Sequence, residues 1–325
     1  MSFTTLPAHA SAVIVLGSSN TDLVIRLPRL PRPGETVLGG AFFQAAGGKG
    51  ANQAVAAARA STAPVTFIAA LGDDAMGDAA ATALAKENLD LRFLKRVPGA
   101  ASGVALIVVD AHGENQIAVA SGANAALSWD DLDLVSDETW KAAKVFLTSL
   151  ETPLDAVIRG LKRARGLGLR TVLNPAPAEP IVVDTGLLRL VDVLTPNEHE
   201  AAEITGVPTG DEAGAVAAAR ELIRRGCRAA IVTRGAAGCV VVEREGMATA
   251  LPACAVTAVD ATAAGDAFNG ALAVALAGGR SLLDAARWAS RAAALAVTRA
   301  GAQPSLPTRA EIEAFQPSDD KLPPG

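Results

Sequence analysis

The residues best suited to chemistry in this chain lie in Val259-Asp260-Ala261-Thr262-Ala263-Ala264-Gly265-Asp266-Ala267-Phe268-Asn269-Gly270, where small side chains run into one carboxylate. From Ala264 the pattern turns helical, with Ala267, Leu272, Val274 and Leu276 among its apolar positions. A helix start built of Ala and Gly leaves backbone N–H groups uncovered, and the helix dipole adds partial positive charge there. That is an anion site. Asp266 stands in it either as a reactive carboxylate or as a first-turn acid that simply favours the dipole.

Three other stretches place polar groups where a ligand could meet them. Ser18-Ser19-Asn20-Thr21-Asp22 follows the apolar run Ala12–Gly17, and ligands of open α/β sheets sit just past the carboxyl ends of strands. Asn20 and Asp22 could there hydrogen-bond a polyhydroxylated substrate, or form an Asx turn. Ala46-Gly47-Gly48-Lys49-Gly50-Ala51-Asn52-Gln53-Ala54 opens an Ala-rich helix, and its three Gly let the backbone approach a ligand or another helix closely. It is not a P-loop, because Phe43 stands where the first Gly should be and Gly50 where the hydroxyl should be. Nor does it fit the dinucleotide pattern, since Gln53 occupies the last Gly position. Asn197-Glu198-His199-Glu200 follows Leu194-Thr195-Pro196 and starts a helix with an acidic first turn, in which His199 reads as an exposed residue.

Composition narrows the partners. Lys+Arg 29 against Asp+Glu 34 gives a net charge of −5 over 325 residues, with no basic stripe for nucleic acid or an anionic membrane, so a small molecule is expected. No apolar run reaches the ~20 residues that span a bilayer and residues 1–11 do not read as a signal peptide, so a cytoplasmic protein is expected. Cys227, Cys239 and Cys254 show no C-x-x-C spacing, and His9, His112 and His199 form no ligand pair.

The elements that must position these residues alternate. Apolar runs predict strands at Val65–Leu71, Lys144–Ser149, Thr171–Leu173, Val191–Thr195, Ala229–Thr233 and Gly238–Val242. Helical patterns cover Ala75–Asn88, Pro153–Gly166, Ala213–Gly226, Ala264–Ala277 and Leu282–Arg299. Strands separated by such helices imply right-handed βαβ units and a largely parallel sheet covered on both faces. Residues 22–45, broken by Pro28, Pro31, Pro33 and Gly34, and residues 100–121, with a hairpin about Ala111–Asn115, predict a small β lid. A lid keeps water from a reacting phosphate. Residues 1–11 and 316–325 read as loose tails.

Asn20-Thr21-Asp22, Gly47-Gly48-Lys49-Gly50-Ala51-Asn52, Asn197-Glu198-His199-Glu200 and Ala263-Ala264-Gly265-Asp266 occur in the order and approximate spacing of the ribokinase family of carbohydrate kinases. Gly122–Leu127, Asn174–Ala178 and Gly301–Ser305 add to a resemblance that runs from about Val13 to Phe315. It implies a ribokinase-like α/β domain over residues 12–315, a doubly wound, mostly parallel sheet flanked by helices. It also implies transfer of the γ-phosphoryl group of ATP to the 5-hydroxyl of D-ribose, with Asp266 as general base and the N–H groups of Ala263, Ala264 and Gly265 as the anion hole. Phosphoryl transfer asks mainly for positioning and charge neutralisation, which such a loop supplies.

By matching position, the resemblance assigns the sugar to Asn20, Asp22, Gly48, Lys49, Asn52, Glu151 and Asp266. Mg2+ would travel with ATP and be held by Asn197 and Glu200 through water. Thr233-Arg234-Gly235-Ala236-Ala237-Gly238 resembles the nucleotide turn, through Thr233, Gly235 and Gly238, with Asn197, Gly265 and Ser290 also near the nucleotide; a Gly-rich hairpin is the plain alternative. A K+ activator would sit beside the anion loop at Asp260, Thr262, Ala296, Arg299, Gly301 and Ser305, mostly on backbone carbonyls. Ala261, Ser290 and Ala46 depart from the family pattern, which bears on cation response, nucleotide affinity and sugar fit.

Two other readings stay open: a kinase of the same family for another sugar or a nucleoside, and a sugar-binding regulator without catalysis. A nucleoside would want aromatic stacking, and the chain has no Tyr, although Phe42 and Phe43 lie in the expected lid. The intact Asp266 loop argues against the regulator. A lid sheet with an exposed apolar face often pairs with its copy, so a homodimer is expected.

Overall fold

The structure, a computed structural model, describes residues 12–178 and 186–316. The tails expected at 1–11 and 316–325 fall outside the described residues, apart from Gln316. Fourteen strands form two sheets among the described residues: β1 Val13–Leu16, β2 Asn20–Arg26, β3 Phe42–Gly47, β4 Val65–Gly72, β5 Leu89–Asp90, β6 Leu94–Val97, β7 Gly103–Val109, β8 Asn115–Ala120, β9 Val145–Thr148, β10 Arg170–Leu173, β11 Val193–Leu194, β12 Ala229–Thr233, β13 Cys239–Glu243 and β14 Thr249–Leu251. The large sheet runs β14-β13-β12-β11-β10-β9-β1-β4-β5, with β6 also on β4. It is parallel from β5 through β12 and antiparallel only at the β12–β13–β14 edge.

Alternation of side chains along each strand divides the core into two layers. Val13, Val15, Phe67, Leu147 and Val172 face one layer; Ile14, Leu16, Ile68, Phe146 and Leu173 face the other. The first is covered by the helices Lys49–Ala60, Ala264–Ala277 and Leu282–Val297, the second by Leu154–Gly166, Glu198–Thr205 and Glu212–Arg225. Helices on both faces make the sheet doubly wound, and the chain leaves β1 toward β4 on one side and β9 on the other. That switch point opens a crevice at the strands' carboxyl ends.

The short sheet has the order β3-β2-β7-β8, with β2 and β7 parallel. Its hairpin turns where expected, with the Asp110 carboxylate accepting from the His112 and Glu114 amides. β3 continues to Gly47, so Ala46-Gly47 belong to the lid strand and the helix begins only at Lys49. Other expectations were too long. The helix from Ala75 ends at Leu84, the strand expected over Val191–Thr195 keeps only Val193–Leu194, and the helix from Leu282 ends at Val297. Strands β5, β6 and β14 and the helices Trp129–Asp133, Asp137–Ala142 and Arg309–Ala314 were not anticipated; each is too short to show a period.

Two glycine contacts bring the Lys49–Ala60 helix into the crevice. A Cβ on Gly50 would lie 2.4 Å from the Gly17 carbonyl carbon, so the helix start touches the end of β1. A Cβ on Gly270 would lie 2.5 Å from Ala56 Cβ, so the Ala264–Ala277 helix crosses it just as closely.

Candidate active site

Asp266 lies in the first turn of the Ala264–Ala277 helix and is 7 % exposed. Its Oδ2 accepts from Asn52 Nδ2 at 3.0 Å and its Oδ1 from Gln53 Nε2 at 3.0 Å. Burial lifts its carboxyl above the ordinary value, against the opposing pull of Lys49 and of these two amides. The turn before it is strained: Ala263, with φ 59°, is the one non-glycine residue at positive φ among the described residues, a conformation that costs on the order of 1 kcal/mol. No side chain caps this helix. The amides of Ala263 and Gly265 donate to no protein acceptor among the described residues, and a Cβ on Gly265 would meet nothing within 4 Å. The third expected amide is different, since Ala264 N–H donates to Ala261 O at 3.2 Å.

Of the sugar residues assigned by resemblance, Asp22 on β2, Lys49 and Asn52 on the Lys49–Ala60 helix and Glu151 after β9 gather about this carboxylate from three elements. Asn20 begins β2, and its Oδ1 accepts from Asn124 Nδ2 at 2.8 Å. Asp22 lies against Gly47, where a Cβ would come within 2.2 Å of both carboxylate oxygens. Gly48, at φ 89°, precedes the helix, and the Lys49 amide donates to Glu151 Oε2 at 3.0 Å. The same oxygen accepts from Ser18 Oγ at 2.5 Å, which ties the ends of β1 and β9 to the helix start.

Charge in this pocket is unbalanced. Burial pushes the Asp22 carboxyl up to about 6, with Glu151 and Asp266 adding to the push and Lys49 opposing it. Burial pulls Lys49 down, but Asp266, Glu151, Glu200 and Asp22 together hold it above its ordinary value. Three acceptor-only carboxylates around one ammonium suit a ligand rich in hydroxyl donors. Asn52 Oδ1, buried and without a partner among the described residues, adds a fourth acceptor.

Asn197 and Glu200, expected at Mg2+, are also each other's helix cap. Asn197 Oδ1 accepts from the Glu200 amide at 2.8 Å, and the Asn197 amide donates to Glu200 Oε2 at 2.9 Å. Asn197 also pairs with Thr233 in an isolated bridge, which sets it beside the expected nucleotide turn. There Gly235 and Gly238 both take positive φ, and Arg234 Nε reaches Glu198 Oε1 at 3.2 Å. Ser290 Oγ donates back to Ala286 O at 2.9 Å within its own helix.

Of the residues expected at K+, Asp260, Thr262 and Gly301 form one cluster: Asp260 Oδ1 accepts from Thr262 N at 2.9 Å and Oδ2 from Gly301 N at 2.8 Å. Ala296 O instead accepts from Arg299 N at 3.1 Å, Arg299 reaches Glu311 at 2.6 Å, and Ser305 Oγ donates to Ala302 O at 2.7 Å.

Sequence reasoning gave no role to Ser18, Gln53, Asn124, Asn174, Thr195 or Asn269. Asn174 Nδ2 donates to Thr195 O at 3.1 Å, Thr195 Oγ1 to Asn269 Oδ1 at 2.6 Å, and Asn269 Nδ2 to Gly265 O at 2.9 Å. The available signal was a buried amide or hydroxyl directly after an apolar strand, as at Asn174 and Thr195.

The chain matches the family described as pfkB family carbohydrate kinase over residues 10–309. It is 43% identical to a ribokinase of Haemophilus influenzae over 301 residues, covering 93% of this chain and 97% of that protein. It is 38% identical to a ribokinase of Mus musculus, covering 94% of each. Among solved structures it is similar to an Arabidopsis thaliana ribokinase complexed with ribose and ATP, at 31% identity and a TM-score of 0.84, covering 95% of this chain and 100% of that one.

Proposed function

The chain belongs to the pfkB family of carbohydrate kinases, and from that membership we propose that it transfers the γ-phosphoryl group of ATP to the 5-hydroxyl of D-ribose, giving ribose 5-phosphate. The observation that carries the reading is Asp266, a buried carboxylate at an uncapped helix start that faces the Asp22–Lys49–Glu151 pocket. Asn20, Asp22, Gly48, Lys49, Asn52 and Glu151 hold the sugar hydroxyls. Asp266 takes the proton of the 5-hydroxyl as its oxygen bonds to the γ-phosphorus, and the bond from that phosphorus to the bridging oxygen breaks to release ADP. A carboxylate suffices as base because the hydroxyl becomes acidic as the new bond forms. The free amides of Ala263 and Gly265 meet the charge on the transferring group, each worth ~10²-fold in rate. Ala264 N–H, in a long turn bond, can share its hydrogen with the same anion.

ATP lies along Thr233, Gly235 and Gly238, with Asn197 and Gly265 at its phosphates and the Ser290 face of the Leu282–Val297 helix beside the base. Among the described residues no cluster of three or more His, Cys, Asp or Glu side chains could hold a metal, so Mg2+ would rely on phosphate oxygens. Glu200 fits that role through water: burial raises its carboxyl, its Oε2 is taken by the Asn197 amide, and Oε1 remains to accept. Bound there, Mg2+ would neutralise phosphate charge. K+ suits the Asp260–Thr262–Gly301 cluster, where hydrogen bonds from Thr262 and Gly301 outweigh burial and keep the Asp260 carboxyl below its ordinary value. Ala296, Arg299 and Ser305 would complete it with backbone carbonyls.

Residues 12–315 form one ribokinase-like domain in this reading, with 22–45 and 100–121 as its lid. Phe42 at 61% and Ile117 at 56% exposure leave an apolar lid surface, which suits a homodimer. No helix among the described residues is long and apolar enough to cross a membrane, and we place the protein in the cytoplasm. A panel of D-ribose, 2-deoxyribose, fructose and adenosine with ATP tests the substrate. D-ribose should give the highest kcat/KM, and preference for fructose or adenosine would overturn the assignment.

A further inference from the structure

Gln53 has no exposed surface, and among the described residues its side chain hydrogen-bonds to Asp266 and Asn174. Its amide orientation is forced by its neighbours. Thr195 O can only accept, so Asn174 turns Nδ2 toward it at 3.1 Å and thereby presents Oδ1 to Gln53. Gln53 then meets two acceptors, Asn174 Oδ1 and Asp266 Oδ1, each 3.0 Å from Nε2. Both hydrogens of one nitrogen are used, and Gln53 Oε1 is left buried with no partner among the described residues. A leucine here would spare the fold that unpaired carbonyl. A glutamine kept at such a cost is explained by what its nitrogen does.

We infer that Gln53 is the positioning residue of Asp266, fixing the carboxylate's rotamer and registering it through Asn174 to the ends of β10 and β11. The inference rests on the reading of Asp266 as base. The same strand end holds the anion loop, since Thr195 Oγ1 bonds Asn269, whose Nδ2 bonds Gly265 O. Base and anion hole are thus referred to one fixed frame. A donor to Oδ1 also favours the ionised carboxylate, so removing it raises the pH at which the base is lost.

Four other charged groups face Asp266: Lys49 on the same helix as Gln53, Asp22 on β2, Glu151 after β9 and Glu200 on the Glu198–Thr205 helix. Comparison of variants at position 53 holds all four constant. Gln53→Met should lower kcat about 10-fold, leave the sugar KM within about 3-fold, and move the acid limb of the kcat profile upward by about one pH unit. Gln53→Glu keeps the shape, sets a second carboxylate against Asp266, and should move the limb at least as far; it carries the test should Gln53→Met not fold. A purely structural role lowers thermal stability without moving the limb. A folded variant whose limb coincides with that of the parent overturns the inference. If Asp266→Asn retains near-normal turnover, the base assignment itself fails; if Asp266→Asn is inactive and the limb stays put, only the role of Gln53 fails.

Discussion

Gln53 Nε2 stands 3.0 Å from Asp266 Oδ1, although 213 positions separate the two residues in the chain. Its neighbour Asn52 donates to the other carboxylate oxygen at the same distance. Two consecutive residues of one helix reach the same carboxylate because the two helices cross very closely, at Gly270.

That crossing can be opened by one methyl group. A Cβ on Gly270 would lie 2.7 Å from Gln53 O and from Ala57 N, both backbone atoms that cannot swing aside. Gly270→Ala should therefore part the helices by roughly 1 Å, and a misplacement of that size can cost about 10²-fold in rate. Steady-state kinetics beside a thermal melt checks this: kcat should fall far more than folded yield, and unchanged kcat would mean that the crossing does not set the base.

The pocket should make the free protein less stable as pH rises. Asp22 titrates at about 6 in the folded chain against an ordinary 3.8, so between those values the folded state holds a proton that the unfolded state has lost. Stability therefore declines through this window and the penalty is complete above it, on the order of 1–3 kcal/mol. Asp22→Asn should raise Tm by a few degrees at pH 7.5 and by almost nothing below about pH 4. Melts across that range decide the matter, because a gain independent of pH would not come from this titration. The same variant should bind the sugar more weakly.

A largely parallel sheet covered on both faces was legible because Ile14, Ile68 and Phe146 sit in apolar runs that only such a sheet can bury, whereas the order of its strands was not. Asp266 and the Gly47–Asn52 stretch were legible as chemistry because small residues beside a charge are poor core formers. Gln53, Asn124 and Asn174 were not. A buried amide looks the same in sequence whether it is paired or idle, and its partners lie 121, 213 or 105 positions away. The limits of β11 were likewise set by pairing with β10 and β12 and not by local pattern.

Monovalent cations offer a separate check on the Asp260 cluster. Replacing K+ by Na+ at constant ionic strength should lower kcat several-fold, because a smaller, more strongly hydrated ion fits a carbonyl cage poorly. Asp260→Asn should bring the two salts together. Equal rates in K+ and Na+ with the parent protein would remove the cation from the account.

The most direct measurement is the turnover of Asp266→Asn, made alongside calorimetric titration of D-ribose into the same variant. With Asp266 as the base, kcat should fall about 10²–10⁴-fold while ribose still binds measurably, since Asn20, Asp22 and Glu151 remain in place. Near-normal turnover in a variant that binds ribose would contradict the account at its centre.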